Sequence, residues 1–183
     1  TFIGVSMFWN ADPLAAAQMP PGAFWPIGED DAQLFDRTDR WPRHGQFADI
    51  LGGPKILRYD VTNLVDLQKV VAEGLPVRSL DETAKYVSDG PRAAAALKDR
   101  LVPRATRSRR TRLKVGESER VERIARLMAI AEEVWENTID ARAFMNEPHP
   151  MLEGRSPLEM AATELGARRV ESLLMHLEYG LPV

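Results

Sequence analysis

The sequence contains no cysteine and only three histidines. The absence of cysteine excludes disulfide bonds, thiolate zinc sites and cysteine nucleophiles, and it is typical of proteins in a reducing cytoplasm. No stretch approaches the roughly 20 uninterrupted apolar residues that a membrane span requires. Residues 1–5 lack the basic flank and the long apolar core of a signal peptide. We therefore expect a cytoplasmic protein with no membrane association.

Catalytic motifs are also missing. His44 and His176 have no partners at metal-ligand spacing, and His149 lies near Glu147 in a proline-containing segment that is more typical of a turn than of a metal site. The glycines at 52–53 are not followed by the Gly-Lys-Ser/Thr ending of a phosphate-binding loop, and no Gly-x-Ser-x-Gly motif occurs. We expect no catalytic residues, no metal and no cofactor, so the protein is not predicted to be an enzyme.

The remaining composition is that of an ordinary globular protein. The chain has 183 residues, of which 44% are hydrophobic and 28% charged. That length allows one medium domain or two small ones, because domains typically have about 100–150 residues. Disorder throughout the chain and a fibrous repeat are both excluded by this composition.

Residues 1–60 differ from the rest of the chain. They hold eight of the ten Phe and Trp residues and six of the 13 prolines. Prolines at that density break helices and do not fit central strands. We predict an irregular N-terminal arm over residues 1–60, whose aromatic side chains are buried on the body of the protein, on a second copy or on a partner.

A basic segment interrupts an otherwise acidic chain. Residues 100–116 contain seven basic residues and no acidic one, whereas the other 17 basic residues of the chain are set against 27 acidic residues, a net charge of −10 outside the segment. The natural polyanion for such a segment is nucleic acid. The alternative is a solvated linker that contacts only acidic protein surfaces.

Short helices are predicted around the basic segment. One covers residues 63–73, one begins at a capping box formed by Ser79 and Glu82, and a third covers residues 92–97. A fourth fits residues 103–110. Brief helices with tight connections, the last rich in arginine, are typical of a helix-turn-helix.

The C-terminal part is also predicted to be helical. Residues 117–137 carry an apolar stripe at spacings of three and four, which we interpret as core and whose length also allows a dimer seam. Shorter helices are predicted over residues 139–145 and 167–179, separated by a loop at residues 146–150 and by a capping box that begins at Ser156. We predict that Gly166 interrupts the last helical stretch.

Two parts of the chain resemble a known family. Residues 144–160 (FMNEPHPMLEGRSPLEM), 163–170 (TELGARRV) and 179–180 resemble the C-terminal pattern of Xre/MbcA/ParS-like antitoxins, the partners of RES-domain toxins in bacterial type II toxin–antitoxin pairs. Residues 73–80 (EGLPVRSL) resemble that family's lead-in to its DNA-binding domain. The resemblance covers about residues 50–183.

The resemblance implies a protein of two modules behind the N-terminal arm. Residues 61–116 would be an Xre-like helix-turn-helix that binds the promoter of its own operon, and residues 117–183 a helical module that dimerises and holds the toxin. RES-type toxins degrade NAD, and in this family the C-terminal end of the antitoxin reaches toward the active-site cleft of the toxin. The implied toxin-binding residues are Leu177, Tyr179, Gly180, Leu181, Pro182 and Val183.

The predicted DNA-binding residues form two groups. The first lies in the N-terminal half of the helix predicted over residues 103–110, the part of a recognition helix that reaches base edges, where each good arginine–guanine contact discriminates by ~1–3 kcal/mol. The second follows it and would neutralise phosphates. The first group is Arg104, Thr106 and Arg107, and the second is Arg109, Arg110, Arg112 and Lys114.

Taken together, the sequence predicts an all-α, non-enzymatic antitoxin. We expect it to neutralise a RES-type toxin through its C-terminal module and to repress its own operon by binding operator DNA as a homodimer. The alternative is a stand-alone helix-turn-helix transcriptional regulator with no toxin partner, whose C-terminal module only dimerises or senses a ligand.

Overall fold

The computed structural model describes residues 44–179, and its longest helix lies at the centre of the fold. All regular elements of this part of the chain are helices, as the sequence predicts. In chain order they are α1 (His44–Ile50), α2 (Gly53–Leu57), α3 (Leu64–Ala72), α4 (Val77–Val87), α5 (Pro91–Leu101), α6 (Arg104–Arg107), α7 (Val115–Trp135), α8 (Thr138–Asn146), the 3₁₀ turn Pro150–Leu152, α9 (Pro157–Met160) and α10 (Glu164–Tyr179).

Helix α7 is the element on which the others pack. It contacts α1, α3, α4 and α5 on the N-terminal side of the chain and α8 and α10 on the C-terminal side. Its stripe of Val121, Ile124, Ala125, Met128 and Ala131 is buried in one continuous apolar cluster. The predicted core role of this stripe is confirmed. Val134 and Trp135, at the end of the same stripe, are half-buried against this cluster, and the dimer seam stays a prediction.

Several helix ends follow local sequence signals. Asn63 caps α3 by accepting a hydrogen bond from the Asp66 N–H at 2.9 Å, at the start of the helix that the sequence predicts over residues 63–73. Pro91 starts α5 at the position where proline needs no backbone donor. Ser156 and Glu159 form the predicted capping box at the start of α9. These ends are local, so the sequence alone finds them.

Other expectations about helix ends are wrong. Helix α4 begins at Val77, so Ser79 lies inside the helix and is fully buried instead of capping it. The reason is distant in sequence: the Val77 N–H donates to the Thr111 carbonyl at 3.0 Å, which pairs the start of the helix with a segment far along the chain. Helix α6 covers four residues of the eight predicted. Gly166 does not interrupt a helix but lies in the first turn of α10.

The predicted irregular arm falls mostly outside the described residues. Its last part, residues 44–60, contains α1 and α2, and Phe47, Ile50 and Leu51 are buried in the common core. The expectation of an irregular structure is therefore wrong for these residues, because their apolar side chains pack against α7 and α4. The prediction for residues 1–43 stays a prediction, as does the division of the chain into modules.

Candidate functional site

The cationic segment, residues 100–116, runs from the end of α5 through α6 to the first turn of α7. Only Val102 and Pro103 separate α5 from α6. Val102 is buried, and its burial fixes where α6 leaves the body of the protein. The short helix α6, which carries Arg104 and Arg107, thus follows α5 almost directly, and the helix-turn-helix stays a prediction.

The far end of the cationic segment is held by backbone pairing with the turn before α4. The Leu113 N–H donates to the Leu75 carbonyl at 2.7 Å, beside the bond from Val77 to Thr111. Gly74 has a φ of +87°, and a Cβ at this position would lie 2.3 Å from the Leu113 carbonyl oxygen. Glycine is therefore required here both for its backbone conformation and for the close approach of the two segments.

Three predicted DNA-binding side chains are available to a ligand. Arg104, Arg109 and Lys114 are exposed, and none has an ion pair with another residue in the described range 44–179. They lie on α6, just after it, and at the start of α7. The structure thus brings three uncompensated cations to one segment of the surface.

Two other predicted DNA-binding side chains have partners within the chain. The Arg112 Nε donates to the Gly74 carbonyl at 2.7 Å, so this side chain supports the backbone pairing of its own segment. Arg110 is exposed, and its guanidinium lies 3.5 Å from a carboxylate oxygen of Glu117, a long contact that water and salt weaken. Arg112 has a structural role that sequence reasoning did not find.

The remaining two predicted residues lie on α6 and are partly covered. Thr106 is half-buried. The guanidinium of Arg107 contacts the carboxylate of Asp99 on α5, and only 13% of the Arg107 side chain is exposed. Arg104 and Arg107 therefore sit on the same short helix in very different surroundings.

In the C-terminal part, Arg123 ties the centre of the fold to the start of α10. Its Nε lies 3.0 Å from a carboxylate oxygen of Glu164, and one of its terminal nitrogens donates to the Ala161 carbonyl at 3.1 Å. Burial acts to raise the pKa of Glu164, but the hydrogen bond from Arg123 and the charges of Arg126 and Arg123 hold that pKa below its ordinary value. This corner of the fold therefore favours an ionised carboxylate.

Arg126 also lies between α7 and α10, and it is half-buried. It forms ion pairs with Glu171 at 2.6 Å and with Glu122 at 3.2 Å. Burial raises the pKa of Glu122 and of Glu171 in spite of the nearby arginines. Arg126 is thus shared by a carboxylate on its own helix and one on α10, and the pair with Glu171 ties α10 to α7.

The turn from α9 into α10 is unusually tight. A Cβ on Gly166 would lie 2.1 Å from the Met160 carbonyl oxygen. The Gly166 N–H donates to the Thr163 hydroxyl oxygen at 3.1 Å. Only glycine lets the first turn of α10 pass this close to the end of α9.

Helix α10 presents an outer face to solvent. We define this outer face as Leu165, Arg168, Arg169, Ser172 and Met175, which recur at helical spacing and are all exposed. Leu165 is 76% exposed, the most of any large apolar residue described. Together with Met175, which is 37% exposed, it gives this face two open apolar side chains among polar ones.

The loop before α9 is held beside this outer face by Arg169. Its guanidinium donates to the Met151 carbonyl at 3.2 Å and pairs with Glu153 at 2.8 Å. Met151 is itself exposed. The 3₁₀ turn and the outer face of α10 therefore form one continuous surface with apolar residues on both elements.

The predicted toxin-binding residues lie at the edge of what the structure describes. Leu177 is half-buried and packs against the core, so it is not open to a partner along its whole side chain. Tyr179 is the last residue of α10. The predicted residues Gly180, Leu181, Pro182 and Val183 lie outside the described residues.

His149 has the turn role that the sequence favours. Its Nδ1 accepts a hydrogen bond from the Met151 N–H at 3.2 Å, and burial lowers its pKa. Its ring meets Phe144 edge-on at 6.0 Å. Among residues 44–179 no cluster of His, Asp or Glu side chains could hold a metal ion. Within the same range, no helix combines the length and apolarity needed to cross a lipid bilayer.

Sequence reasoning missed some of the residues that shape these surfaces. Leu165 does not share the helix face of Val170, Leu173 and Leu174. An apolar residue outside that face was the available sequence signal for an exposed contact residue. Asp99 and Arg123 gave no local signal, because their partners lie on other helices.

The C-terminal segment is similar to a known protein domain. Residues 131–180 match the family model for the antitoxin Xre/MbcA/ParS C-terminal toxin-binding domain. The chain is also 32% identical over 87 residues to a protein named Antitoxin Xre from Pseudomonas putida, a match that covers 45% of this chain and 55% of that relative. The chain thus spans about half the length of the curated relative it matches. The segment from the end of α7 through α10 is therefore similar to the toxin-binding domain of these antitoxins.

Proposed function

We propose that this protein is the antitoxin of a type II toxin–antitoxin pair and that it neutralises its toxin through α8 to α10 and the residues that follow. The observation that carries this proposal is the match of residues 131–180 to a toxin-binding domain. The outer face of α10, with the exposed Leu165 and Met175, lies inside that matched segment. Apolar side chains surrounded by polar ones are the usual centre of a protein–protein contact.

The toxin that we propose is a RES-domain protein that degrades NAD. This choice rests on the resemblance of residues 144–160 and 163–170 to antitoxins of that pairing. In this proposal the outer face of α10 binds the body of the toxin, and residues 179–183 reach its NAD cleft and exclude the substrate. The antitoxin itself performs no reaction and acts as a homodimer in the cytoplasm.

Two exposed leucines allow a matched test of the neutralising surface. Leu165 is on the outer face of α10, whereas Leu64 is 62% exposed on α3, outside the matched segment. We expect Leu165→Asp to lose neutralisation, because a carboxylate would be desolvated in the contact, and Leu64→Asp to keep it. Removal of residues 179–183 is also expected to abolish neutralisation. The measurement is the survival of cells that co-express each variant with the RES-domain toxin encoded beside it.

Circular dichroism of the purified variants is the control, since both leucines are exposed and neither substitution is expected to change the helical content. Equal protection by the Leu165→Asp and Leu64→Asp variants would show that the outer face of α10 is not the contact. A toxic neighbour that the wild-type chain does not suppress would contradict the antitoxin function as a whole.

We further propose that the cationic segment binds DNA and represses the operon of the protein. The support is the placement of Arg104, Arg109 and Lys114, three exposed cations without ion pairs in the described part of the chain, on a short helix joined closely to α5 and on the residues that follow it. Cations of this kind neutralise backbone phosphates, and an arginine at the start of a recognition helix can also read guanine.

Salt titration separates these two DNA-binding roles. We expect Arg104→Ala to reduce the preference for the fragment upstream of the gene over unrelated DNA by about ten-fold, well within what one base contact supplies. Lys114→Ala is expected mainly to reduce the slope of log K against log salt by about 0.9. Lys69→Ala, at an exposed lysine on α3, is the control and should change neither quantity. Unchanged binding by both variants would place the DNA contact elsewhere.

The runner-up function is a stand-alone helix-turn-helix regulator. The support for it is that the cationic segment lies outside the matched toxin-binding segment, so a DNA-binding role of this segment would not require a toxin. Under this function the wild-type chain binds its upstream DNA but protects no cell from a neighbouring toxin. Co-expression therefore distinguishes the two.

A further inference from the structure

The two arginines of α6 are in different environments. Arg104 is exposed and has no ion pair in the described residues, whereas Arg107 contacts Asp99 with a side chain that is 13% exposed. The Nε of Arg107 is buried and makes no hydrogen bond to any residue that the structure describes. A guanidinium held in this way is directed at the protein and has little surface left for a DNA base.

Helix α6 cannot hold its own position. It has four residues, none of them buried, and its N-cap residue Pro103 provides no side-chain hydrogen bond. A helix of this length is unstable by itself, because the conformational entropy lost in forming its first turn is not offset by the hydrogen bonds of further turns. Val102 fixes the N-terminal end by burial. At the C-terminal end, the ion pair of Arg107 with Asp99 is the contact that ties α6 to α5.

A second ion pair connects α5 to α4. Lys98, the neighbour of Asp99 on α5, pairs with Asp81 of α4 at 2.9 Å. Asp81, Lys98, Asp99 and Arg107 line one cavity of about 460 Å³, together with Val77, Ala95, Arg104 and Ser108. Two successive ion pairs thus connect α4, α5 and α6 across a shallow groove, beside the apolar packing of α4 on α5.

We propose that Arg107 is a positioning residue for DNA binding and not a contact residue. Its ion pair with Asp99 fixes α6 against α5 and so holds Arg104 and Arg109 in one register relative to the duplex. This inference rests on the proposed DNA-binding function, and it replaces the role of base reader that the sequence predicts for Arg107. This role also explains why an acidic residue, Asp99, lies beside a DNA-binding segment: its carboxylate fixes the orientation of α6 against α5.

The test is a salt series of binding to the fragment upstream of the gene. We expect Arg107→Ala and Asp99→Asn each to lower affinity by about five- to tenfold, in the range of coupling between residues in contact. The slope of log K against log salt should stay at its wild-type value in Arg107→Ala, because no phosphate contact is lost. Lys114→Ala is the matched comparison and should reduce the slope by about 0.9.

A charge exchange provides the decisive variant. The double variant Asp99→Arg with Arg107→Asp keeps the net charge and can re-form the pair in reverse, so it is expected to recover affinity to within about threefold of wild type. Thermal unfolding of each protein shows whether the fold is kept. Asp99 is more than half exposed, so Asp99→Asn is expected to fold even if Arg107→Ala does not.

Three results would overturn the inference. One is a folded Asp99→Asn protein with unchanged affinity. Another is a reduced salt slope in Arg107→Ala, and the last is a charge exchange that binds no better than Arg107→Ala. Failure of the proposed DNA-binding function is recognised separately, because the wild-type chain would then show no preference for the upstream fragment over unrelated DNA.

Discussion

Gly166→Ala is expected to lower the free energy of unfolding by about 2–3 kcal/mol, the effect of forcing an extra methyl group into a packed site. The added Cβ would lie 2.1 Å from the Met160 carbonyl oxygen, and 2.9 Å from the Thr163 hydroxyl oxygen. A backbone carbonyl cannot rotate away as a flexible side chain can. The first turn of α10 must therefore move away from α9, and the hydrogen bond from Gly166 to Thr163 is expected to lengthen or break.

Chemical denaturation of wild type and variant measures this loss. Gly116→Ala is the matched control, because Gly116 also lies in the first turn of a helix but has nothing within 4 Å of a built Cβ. Alanine there is expected to be neutral or to stabilise by about 0.5–1 kcal/mol, since it reduces the freedom of the unfolded chain. If the alanine variants at 166 and 116 were equally stable, the close approach of α9 and α10 would not constrain the fold.

The second large effect is expected at Arg123. Arg123→Ala should lower the free energy of unfolding by about 2–3 kcal/mol, because the Ala161 carbonyl would lose a charged donor and the Glu164 carboxylate its buried partner. Arg123 is 9% exposed, so water does not readily replace these contacts. The ends of α9 and α10 are expected to loosen first.

Arg168 provides the comparison. Its guanidinium lies 3.5 Å from the same Glu164 carboxylate, but its side chain is largely exposed. Arg168→Ala is therefore expected to change the unfolding free energy by less than ~0.5 kcal/mol, as for other exposed helix pairs. Denaturation at low and high salt should widen this contrast, since salt screens the exposed pair more than the buried one. Similar losses for both arginines would mean that burial of Arg123 contributes nothing.

Both variants bear on the proposed neutralising surface. Gly166 lies in the first turn of α10 and Arg123 on α7, and neither belongs to the outer face of α10. These two residues determine how α10 packs on α7 and α9. They therefore also determine how the side chains of Leu165 and Met175 are oriented toward a partner. A loss of neutralisation in either variant should therefore scale with the loss of stability, whereas Leu165→Asp should lose neutralisation with stability retained.

The C-terminal helices were the most predictable part of the fold. The stripe of α7 repeats over several turns, and the Ser156–Glu159 capping box is complete within four residues, so each signal is local. The start of α4 was predicted wrongly for the opposite reason. Ser79 and Glu82 form a valid capping pattern, but the pairing of Val77 with Thr111 starts the helix earlier and buries Ser79.

The sequence by itself determined the helical class, the core stripe of α7, the concentration of cations in residues 100–116 and the resemblance of residues 144–170 to a toxin-binding pattern. Periodicity, capping patterns and charge depend on residues that are close together in the sequence, so they can be recognised without knowing the fold. Only the tertiary structure decided which cations are open. Arg107 pairs with Asp99 and has only 13% of its side chain exposed, and Arg112 is bound to the Gly74 carbonyl, whereas Arg104, Arg109 and Lys114 are exposed without ion pairs in the described residues. Contacts between segments that are far apart in the sequence depend on distances that are set only by the fold.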